Sequence, residues 1–342
     1  IIRLDSLDIN SFEFRKYDIF ITNPDSMKHQ WNLTYALRED YRPNLGFLEL
    51  SSKSNNLGIS NQLWSQNKNR LNLRLNYRTL DIGSNNLENL DEDNNLNGRF
   101  EYYMYLLKGA LSGQSLYELG RGLEQQKEYM YLEVPAGEGL YTWIDDGDGV
   151  QQLGEFELSN FQDQANFIKV YTVTSEYQKV YTLAFNQSLN LNLKRLWLKQ
   201  KGIKGFLSKF SDQLNAQINR KTIQGGDMDY FNPFYESYIA DELVSINSML
   251  RNVFFFNRAN AKYSIEWHLI KNRQKSFLIN GFEERSKEEN KIKAQINWNK
   301  NYKSRLSITE SYQKTASDWM QLKNYNIKIR EVEKSLEWIA MR

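Results

Sequence analysis

The sequence predicts an all-β protein, namely an antiparallel transmembrane β-barrel, or a large part of one, with Asn/Asp-rich loops. Three observations predict this fold class. Apolar and polar residues alternate with a period of two in many segments. Aromatic residues make up 14% of the chain although its mean hydropathy is −0.68. Short, Asn-rich polar stretches separate the alternating segments, as turns between strands do.

The alternation defines the predicted strands. In order along the chain, the clearest segments are Trp31–Leu37, Leu71–Tyr77, Leu189–Leu193, Ile292–Trp298, Leu306–Ile308 and Ile327–Ile329. Successive side chains of a strand point to opposite faces, so each segment has one apolar and one polar face. In a barrel the polar face lines the lumen. The residues expected there are Lys293, Gln295, Arg305, Lys328 and Arg330.

Turn-forming residues divide the strands, and Asn55–Gly58, Lys271–Gln274 and Asn299–Asn301 are predicted hairpin turns. Asp81–Gly98 is predicted as a solvent-facing loop. Two stretches have helical character. Residues 203–218 fit a helical stripe or a strand equally well, and Leu158–Ile168 is a second short helix candidate.

Three segments organise the chain: a strand-rich barrel segment over 1–132, a Gly/Asp-rich acidic loop insertion over 133–168, and a second strand-rich barrel segment over 169–342. At roughly 20–25 residues per strand and connection, this length supplies on the order of 14–16 strands. The chain begins at Ile1 without an initiator Met and ends within a strand-like pattern at Arg342. A processed protein, or a piece of a longer one, is therefore expected.

Composition excludes several classes of site. There is no cysteine, which excludes disulfides and thiolate chemistry. The only histidines, His29 and His268, are far apart and are expected to be packed or lumen-facing. A net charge of +2 gives no general attraction to nucleic acid. The most apolar short run, Val253–Phe256, is far shorter than a membrane-spanning helix. No nucleotide-binding or nucleophile motif occurs, so no catalytic residue and no enzyme activity are predicted.

The acidic stretch Ile144–Glu155 has part of the pattern of an EF-hand calcium loop. With Gly149 as the sixth position, Asp146 and Asp148 occupy the third and fifth positions, and Glu155 occupies the twelfth. The first position is Ile144, so the neighbouring Asp145 would have to supply that ligand. Asp145, Asp146, Asp148 and Glu155 are the predicted metal ligands, with Ca²⁺ as the cofactor. The alternative is an acidic hairpin tip that binds nothing.

The basic, aromatic stretch Lys194–Lys204 offers a site for a phosphate backbone or a lipid headgroup. In a membrane barrel, Trp and Tyr lie at the interfaces while Lys and Arg reach toward the headgroups. The alternative is a strand end and turn with solvated lysines. No second basic patch extends this one, so nucleic acid is not predicted as a partner.

A resemblance is carried by Gly137–Asp145, Glu155–Glu157 and Phe161–Ile168. This region resembles part of large cell-surface and outer-membrane β-barrel proteins of Bacteroidota-type bacteria. In those proteins Gly-x-Gly-x-Tyr-x-Trp leads to an Asp/Asn/Gly loop, then Glu-Phe-Glu and Phe-x-Asp-x-Ala. The loop here is one residue shorter. The residues that would carry over are Trp143, Asp145, Asp146, Asp148, Glu155 and Asp163.

The resemblance implies a β-rich fold in the bacterial outer membrane. The expected role is a pore, or the membrane anchor of a cell-surface transport or assembly complex. Its partners would be the lipid bilayer and other outer-membrane or surface proteins. The alternative is a secreted β-sandwich-type module that binds glycan or protein at the cell surface. A weaker option is a carboxylate-dependent hydrolase using a pair such as Asp145 and Glu157.

Overall fold

The computed structural model describes residues 8, 11–24, 27–44, 47–64, 69–83, 92–223, 228–235, 242–258, 260, 262–278, 281–299, 301–318 and 324–338. The chain is all-β, as predicted, and these residues form one antiparallel sheet of fifteen strands. The strands are β1 (Glu13–Thr22), β2 (His29–Asn44), β3 (Phe47–Trp64), β4 (Arg70–Ile82), β5 (Asp93–Leu106), β6 (Leu111–Glu133), β7 (Tyr141–Trp143), β8 (Phe156–Leu158), β9 (Phe167–Asn192), β10 (Phe210–Thr222), β11 (Leu243–Phe256), β12 (Tyr263–Leu278), β13 (Gly281–Asn297), β14 (Tyr302–Ser317) and β15 (Tyr325–Trp338).

In the described residues, helical structure is confined to connections. Two short helices, α1 (Lys194–Trp197) and α2 (Gly202–Leu207), join β9 to β10. Single 3₁₀ turns lie at Leu107–Gly109, Leu153–Glu155, Gln162–Gln164 and Met228–Phe231. No helix in the described part of the chain has the length and apolar character needed to cross a membrane.

The strand path is a meander that runs from β1 through β6 to β9 and on to β15 in chain order. Only β7 and β8 lie off this path, in the segment between β6 and β9. The sheet is not closed in the described residues, so the predicted all-β class is confirmed but a barrel is not shown. Thirteen strands follow one another on the path, so the two edge strands, β1 and β15, run in the same direction.

Cross-strand pairing gives the sheet two chemically different faces. Directly opposed residues share a face. The apolar face carries Ile19, Leu33, Ile59, Leu75, Phe185, Ile218, Trp267, Ile292 and Ile308. The polar face carries Asn32, Ser60, Arg74, Arg99, Asn186, Gln217, Asn247, Gln274 and Arg285. Much of the apolar face is exposed, since Ile19, Trp267 and Ile308 are among the exposed large side chains.

The apolar residues form a band that crosses the strands obliquely, here called the apolar belt. In β2 the belt includes Leu33. A line of directly opposed residues that starts at Leu33 passes through Leu75 and Leu183 and reaches Ala316 in β14. The belt in β14, however, lies around Leu306, which is ten residues from Ala316. Ten strand pairings separate β2 from β14 on this path. With 3.3 Å per residue and 4.8 Å between strands, the belt is inclined to the pairing direction by about 35°.

Several local predictions are wrong. The predicted turns Asn55–Gly58 and Lys271–Gln274 lie inside β3 and β12. Amide side chains such as Asn56 sit on the polar face, where they do not interrupt a strand. The basic residues of the second segment pair across strands, since Lys271 lies 3.2 Å from Glu288.

Other local predictions are correct for part of their segment and wrong for the rest. Within Asp81–Gly98, eight of the ten described residues are strand, because β4 continues to Ile82 and β5 begins at Asp93; residues 84–91 lie outside the described ones. Residues 203–218 split into helix α2 and strand β10, and Leu158–Ile168 contains a 3₁₀ turn rather than an α-helix. The chain does turn between β13 and β14, where the Oδ1 atom of Asn299 accepts the N–H of Asn301 at 2.8 Å.

The predicted lumen-facing set also divides between the two faces. Lys293, Gln295 and Arg305 lie on the polar face. Lys328 and Arg330 lie on the opposite face, where both contact the Glu310 carboxylate, at 2.7 and 2.9 Å. Strand β15 places Ile327 and Ile329 on the polar side instead, because the apolar alternation changes phase along this strand and Val332 and Leu336 occupy the apolar face.

Tryptophan is concentrated near one end of the strands. Six of the seven tryptophans in the described residues lie at or near the end where β9 leads into β10, here called the tryptophan end. They are Trp31, Trp64, Trp197, Trp267, Trp298 and Trp338. Tryptophan favours the boundary between an apolar and an aqueous phase, because its ring is large and apolar while its N–H is polar.

Candidate functional site

The segment between β6 and β9 folds into a compact unit at the end of the sheet opposite the tryptophan end, here called the acidic knob (residues 134–166). The acidic knob follows the end of β6 and leads into the start of β9. It has a small aromatic core. The Tyr131 and Phe156 rings stack at 4.0 Å, and Phe156 meets Phe167 edge to face at 5.0 Å. Tyr141 and Ala165 are buried beside them. This core fixes the loop that carries the predicted metal ligands.

Glycines shape the acidic loop. Gly147 and Gly149 have φ values of +110° and +72°, which side-chain-bearing residues rarely adopt. The resulting turn lets the Asp145 Oδ1 atom accept the N–H groups of Gly147 and Gly149, at 2.9 and 3.0 Å. These backbone hydrogen bonds hold the pKa of Asp145 below its ordinary value.

The structure brings the four predicted ligands together. One carboxylate oxygen from each of Asp145, Asp146, Asp148 and Glu155 lies within 4.8 Å of the other three. Oxygens on opposite sides of a Ca²⁺ ion are separated by about 4.6–5.2 Å, since Ca–O distances are about 2.3–2.6 Å. The cluster therefore has the size of a calcium site. Asp163, which the resemblance would add, is not in the cluster.

Glu155 is the best positioned of these ligands. Its Oε2 atom accepts the indole N–H of Trp143 at 2.7 Å and the backbone N–H of Gln152 at 3.2 Å. Its Oε1 atom is buried and has no hydrogen-bond partner. A buried carboxylate oxygen without a donor is costly, and a cation would satisfy it.

The polar face of the sheet has shallow hollows. One, of about 380 Å³, is lined by Glu266, Lys293 and Arg305 among others. Another, of about 480 Å³, is lined by Gln62, Arg74 and Arg99 among others. Both contain charges of either sign and many hydroxyl or amide groups, which makes this face suited to contact with water.

The two histidines have ordinary structural partners. His268 lies on the polar face with its Nε2 atom 2.9 Å from a Glu266 oxygen. His29 contacts the side-chain amide of Asn61. Glu157, which the hydrolase option would pair with Asp145, is not among the carboxylates that come together around Asp145.

Sequence reasoning missed a buried arginine. Arg220 continues the apolar register of β10 after Leu214 and Ile218, yet it is only 3% exposed. Its guanidinium donates to the carbonyls of Tyr230 and Asn232 (3.1 Å to Asn232), in the connection between β10 and β11. The same connection covers part of the apolar face. The signal in the sequence was a charged residue at an apolar position of the alternation.

Comparisons with known proteins give no further identification. No protein-family model matches the chain, and no curated protein or solved structure shows significant similarity to it.

Proposed function

We propose that this protein forms the wall of a β-barrel in the bacterial outer membrane, as a pore or as the membrane anchor of a cell-surface transport or assembly complex. Its partners would be the bilayer and other outer-membrane or surface proteins. The observation that carries the proposal is the exposed apolar belt. The belt crosses the strands at about 35° to the pairing direction, and strands of membrane barrels tilt by about 35–45°.

The physical argument concerns the solvent on each face. Exposed apolar side chains such as Ile59, Leu75 and Ile292 cost free energy in water but not in a hydrocarbon phase. The opposite face carries Arg, Asn and Gln, which need water or one another. The tryptophans at one end of the belt are placed as an interfacial girdle would be. A tilted sheet with one apolar and one polar face is the form of a barrel wall.

The secreted β-sandwich is favoured less, because it needs a second sheet against the apolar face. In the described residues there is a single sheet, and what packs on that face is the 228–235 connection and, at the tryptophan end, Phe206. The Tyr117 hydroxyl donates to the Phe231 carbonyl there, at 2.5 Å.

The test is the solvent that the folded protein requires. We expect the chain to be monodisperse only in detergent, and to float with phosphatidylcholine vesicles after refolding. Its far-ultraviolet circular dichroism should show the same strand content in detergent and in vesicles. A monodisperse, folded monomer in detergent-free buffer would contradict the proposal.

We also propose that the acidic knob binds Ca²⁺ through Asp145, Asp146, Asp148 and Glu155. The unpartnered Oε1 atom of Glu155 favours this second proposal. Extracellular calcium modules have Kd values of about 10⁻⁴–10⁻³ M. At 10 mM Ca²⁺ such a site stabilises the folded knob by about 1.4–2.7 kcal/mol.

Hydrogen exchange of residues 134–166 measures this stabilisation directly. We expect slower exchange with Ca²⁺ than with a chelator, and no such difference in the double variant Asp148→Asn, Glu155→Gln. Glu157→Gln is the matched control, because it removes a knob carboxylate outside the cluster. Equal hydrogen-exchange rates with 10 mM Ca²⁺ and with chelator would contradict the proposed calcium site.

A further inference from the structure

The connection between β9 and β10 is strongly basic, and residues 193–209 are here called the basic connection. It contains six cationic side chains and no acidic residue. The cations are Lys194, Arg195, Lys199, Lys201, Lys204 and Lys209. All six are exposed. The rest of the chain is close to neutral, so this concentration of charge is local.

Among the residues that the structure describes, no carboxylate forms an ion pair with any of these six cations. Arg195 instead donates to the Gly109 carbonyl at 2.9 Å, which ties the connection to the turn between β5 and β6. The five lysines are exposed at this end of the sheet.

Large apolar side chains lie between the lysines and are also exposed. Leu198 is 60% exposed, Ile203 79% and Phe206 52%. The Phe206 ring contacts Phe210 at 5.2 Å and Phe256 at 5.8 Å. Those two phenylalanines pair on the apolar face of the sheet. The apolar side chains of the basic connection therefore continue the apolar belt at the tryptophan end.

We propose that the basic connection binds the phosphate groups of anionic phospholipids at one surface of the bilayer. The lysines contact the phosphates while Ile203 and Phe206 enter the adjacent acyl region. This inference rests on the proposed barrel function, because it needs the apolar belt to lie in the bilayer. Mixed basic and apolar exposure fits a lipid surface, in which phosphate and hydrocarbon are neighbours. A nucleic acid would satisfy the lysines but leave Ile203 and Phe206 in water.

The test uses the absence of native cysteine. Gln200→Cys places a single fluorescent label between Lys199 and Lys201, and the labelled protein is reconstituted into phosphatidylcholine containing brominated lipid. Brominated phosphatidylglycerol and brominated phosphatidylcholine are compared at equal mole fraction. One basic residue near the surface corresponds to about a fivefold preference for anionic lipid. We expect a preference of at least about fivefold at the label.

Variants separate the effect of the lysine charges from the effect of the apolar side chains that enter the bilayer. The triple variant Lys199→Gln, Lys201→Gln, Lys204→Gln should bring the preference to within twofold of unity. The control Lys291→Gln, Lys293→Gln, Lys303→Gln removes three lysines of the polar face and should keep the preference. Ile203→Ser with Phe206→Ser should weaken quenching by both lipids while keeping the preference for the anionic one.

The outcomes distinguish the two proposals. Failure to float with either vesicle overturns the barrel function and this inference with it. Flotation with both vesicles, but equal quenching by the two lipids, overturns this inference alone. Loss of the lipid preference when a single-stranded oligonucleotide is added in stoichiometric amount would assign the lysines to nucleic acid instead.

Discussion

A charge placed in the middle of the apolar belt tests whether that belt contacts hydrocarbon. Ile59 lies at the centre of the belt in β3, since its partners on either side are Leu33 and Leu75. Leu63 lies on the same face, four residues nearer the tryptophan end. The two side chains are almost equally exposed, at 41% and 43%. Substitution of each by lysine therefore differs in depth but not in exposure.

The expected magnitudes follow from this geometry. Four residues span about 13 Å along the strand, and about 11 Å across the belt at an inclination of about 35°. The apolar band of a membrane barrel is about 25 Å tall, so Leu63 lies near its edge when Ile59 is central. We expect Ile59→Lys to lower the free energy of unfolding by about 2–4 kcal/mol, and Leu63→Lys by about 0–1 kcal/mol.

The assay is urea unfolding of the protein refolded in phosphatidylcholine vesicles, followed by tryptophan fluorescence. Gln62→Lys is the control on the polar face, where its neighbours are Gln30 and Asn72, and its effect should be within about 0.5 kcal/mol. In a sheet surrounded by water, the two belt variants would behave alike because their exposure is alike. Equal losses for Ile59→Lys and Leu63→Lys would refute the membrane assignment of this face.

Three further predictions concern local structure. Gly139→Ala should destabilise the acidic knob by about 1–3 kcal/mol, because its Cβ would lie 2.5 Å from the Phe167 nitrogen. Gly154→Ala, which meets nothing within 4 Å, should be neutral; hydrogen exchange of 134–166 compares them. Arg220→Leu should release the 228–235 connection and speed its cleavage by protease. The control Arg251→Leu, on the exposed polar face, should not change the cleavage rate. Equal cleavage rates for the two variants would show that Arg220 does not hold the connection. Asp145→Asn should loosen the acidic loop at neutral pH. Because the pKa of folded Asp145 is lowered, its contribution is present above the ordinary pKa and is lost as the pH falls through the lowered value; loop exchange rates of the variant and the native protein should therefore converge on acidification, and a constant difference would contradict this cause.

The sequence contained the information for the strands but less for their ends. Alternation identified parts of β2, β4 and β13, because a period of two needs only local residues. It failed at Asn55–Gly58 and Lys271–Gln274, where polar residues continue a strand. Turn-forming residues are ambiguous in a sheet with a polar face, since Asn56 and Gln274 are as well placed on that face as in a turn.

The acidic loop shows which features of a binding site can be predicted from the sequence. Spacing around Gly149 gave the four carboxylates that the fold brings together, because a tight loop places near neighbours close in space. The Trp143 hydrogen bond to Glu155 and the buried Oε1 atom depend on the aromatic core of the knob. Arg220 was missed for the same reason, since its carbonyl partners come from a connection whose path the alternation does not encode.

The number of strands on the path constrains how the proposed barrel closes. Since β1 and β15 run in the same direction, direct pairing between them would be parallel, unlike every pairing along the described path. An antiparallel seam instead requires an odd number of additional strands between them. Copies of this chain related by an axis along the barrel would meet β15 to β1 in the same parallel sense. The two edges carry apolar side chains of the belt, Ile19 and Val332, that are 63% and 70% exposed. A closing strand therefore has to place apolar residues on that face and satisfy the backbone groups of both edges, which lipid cannot do.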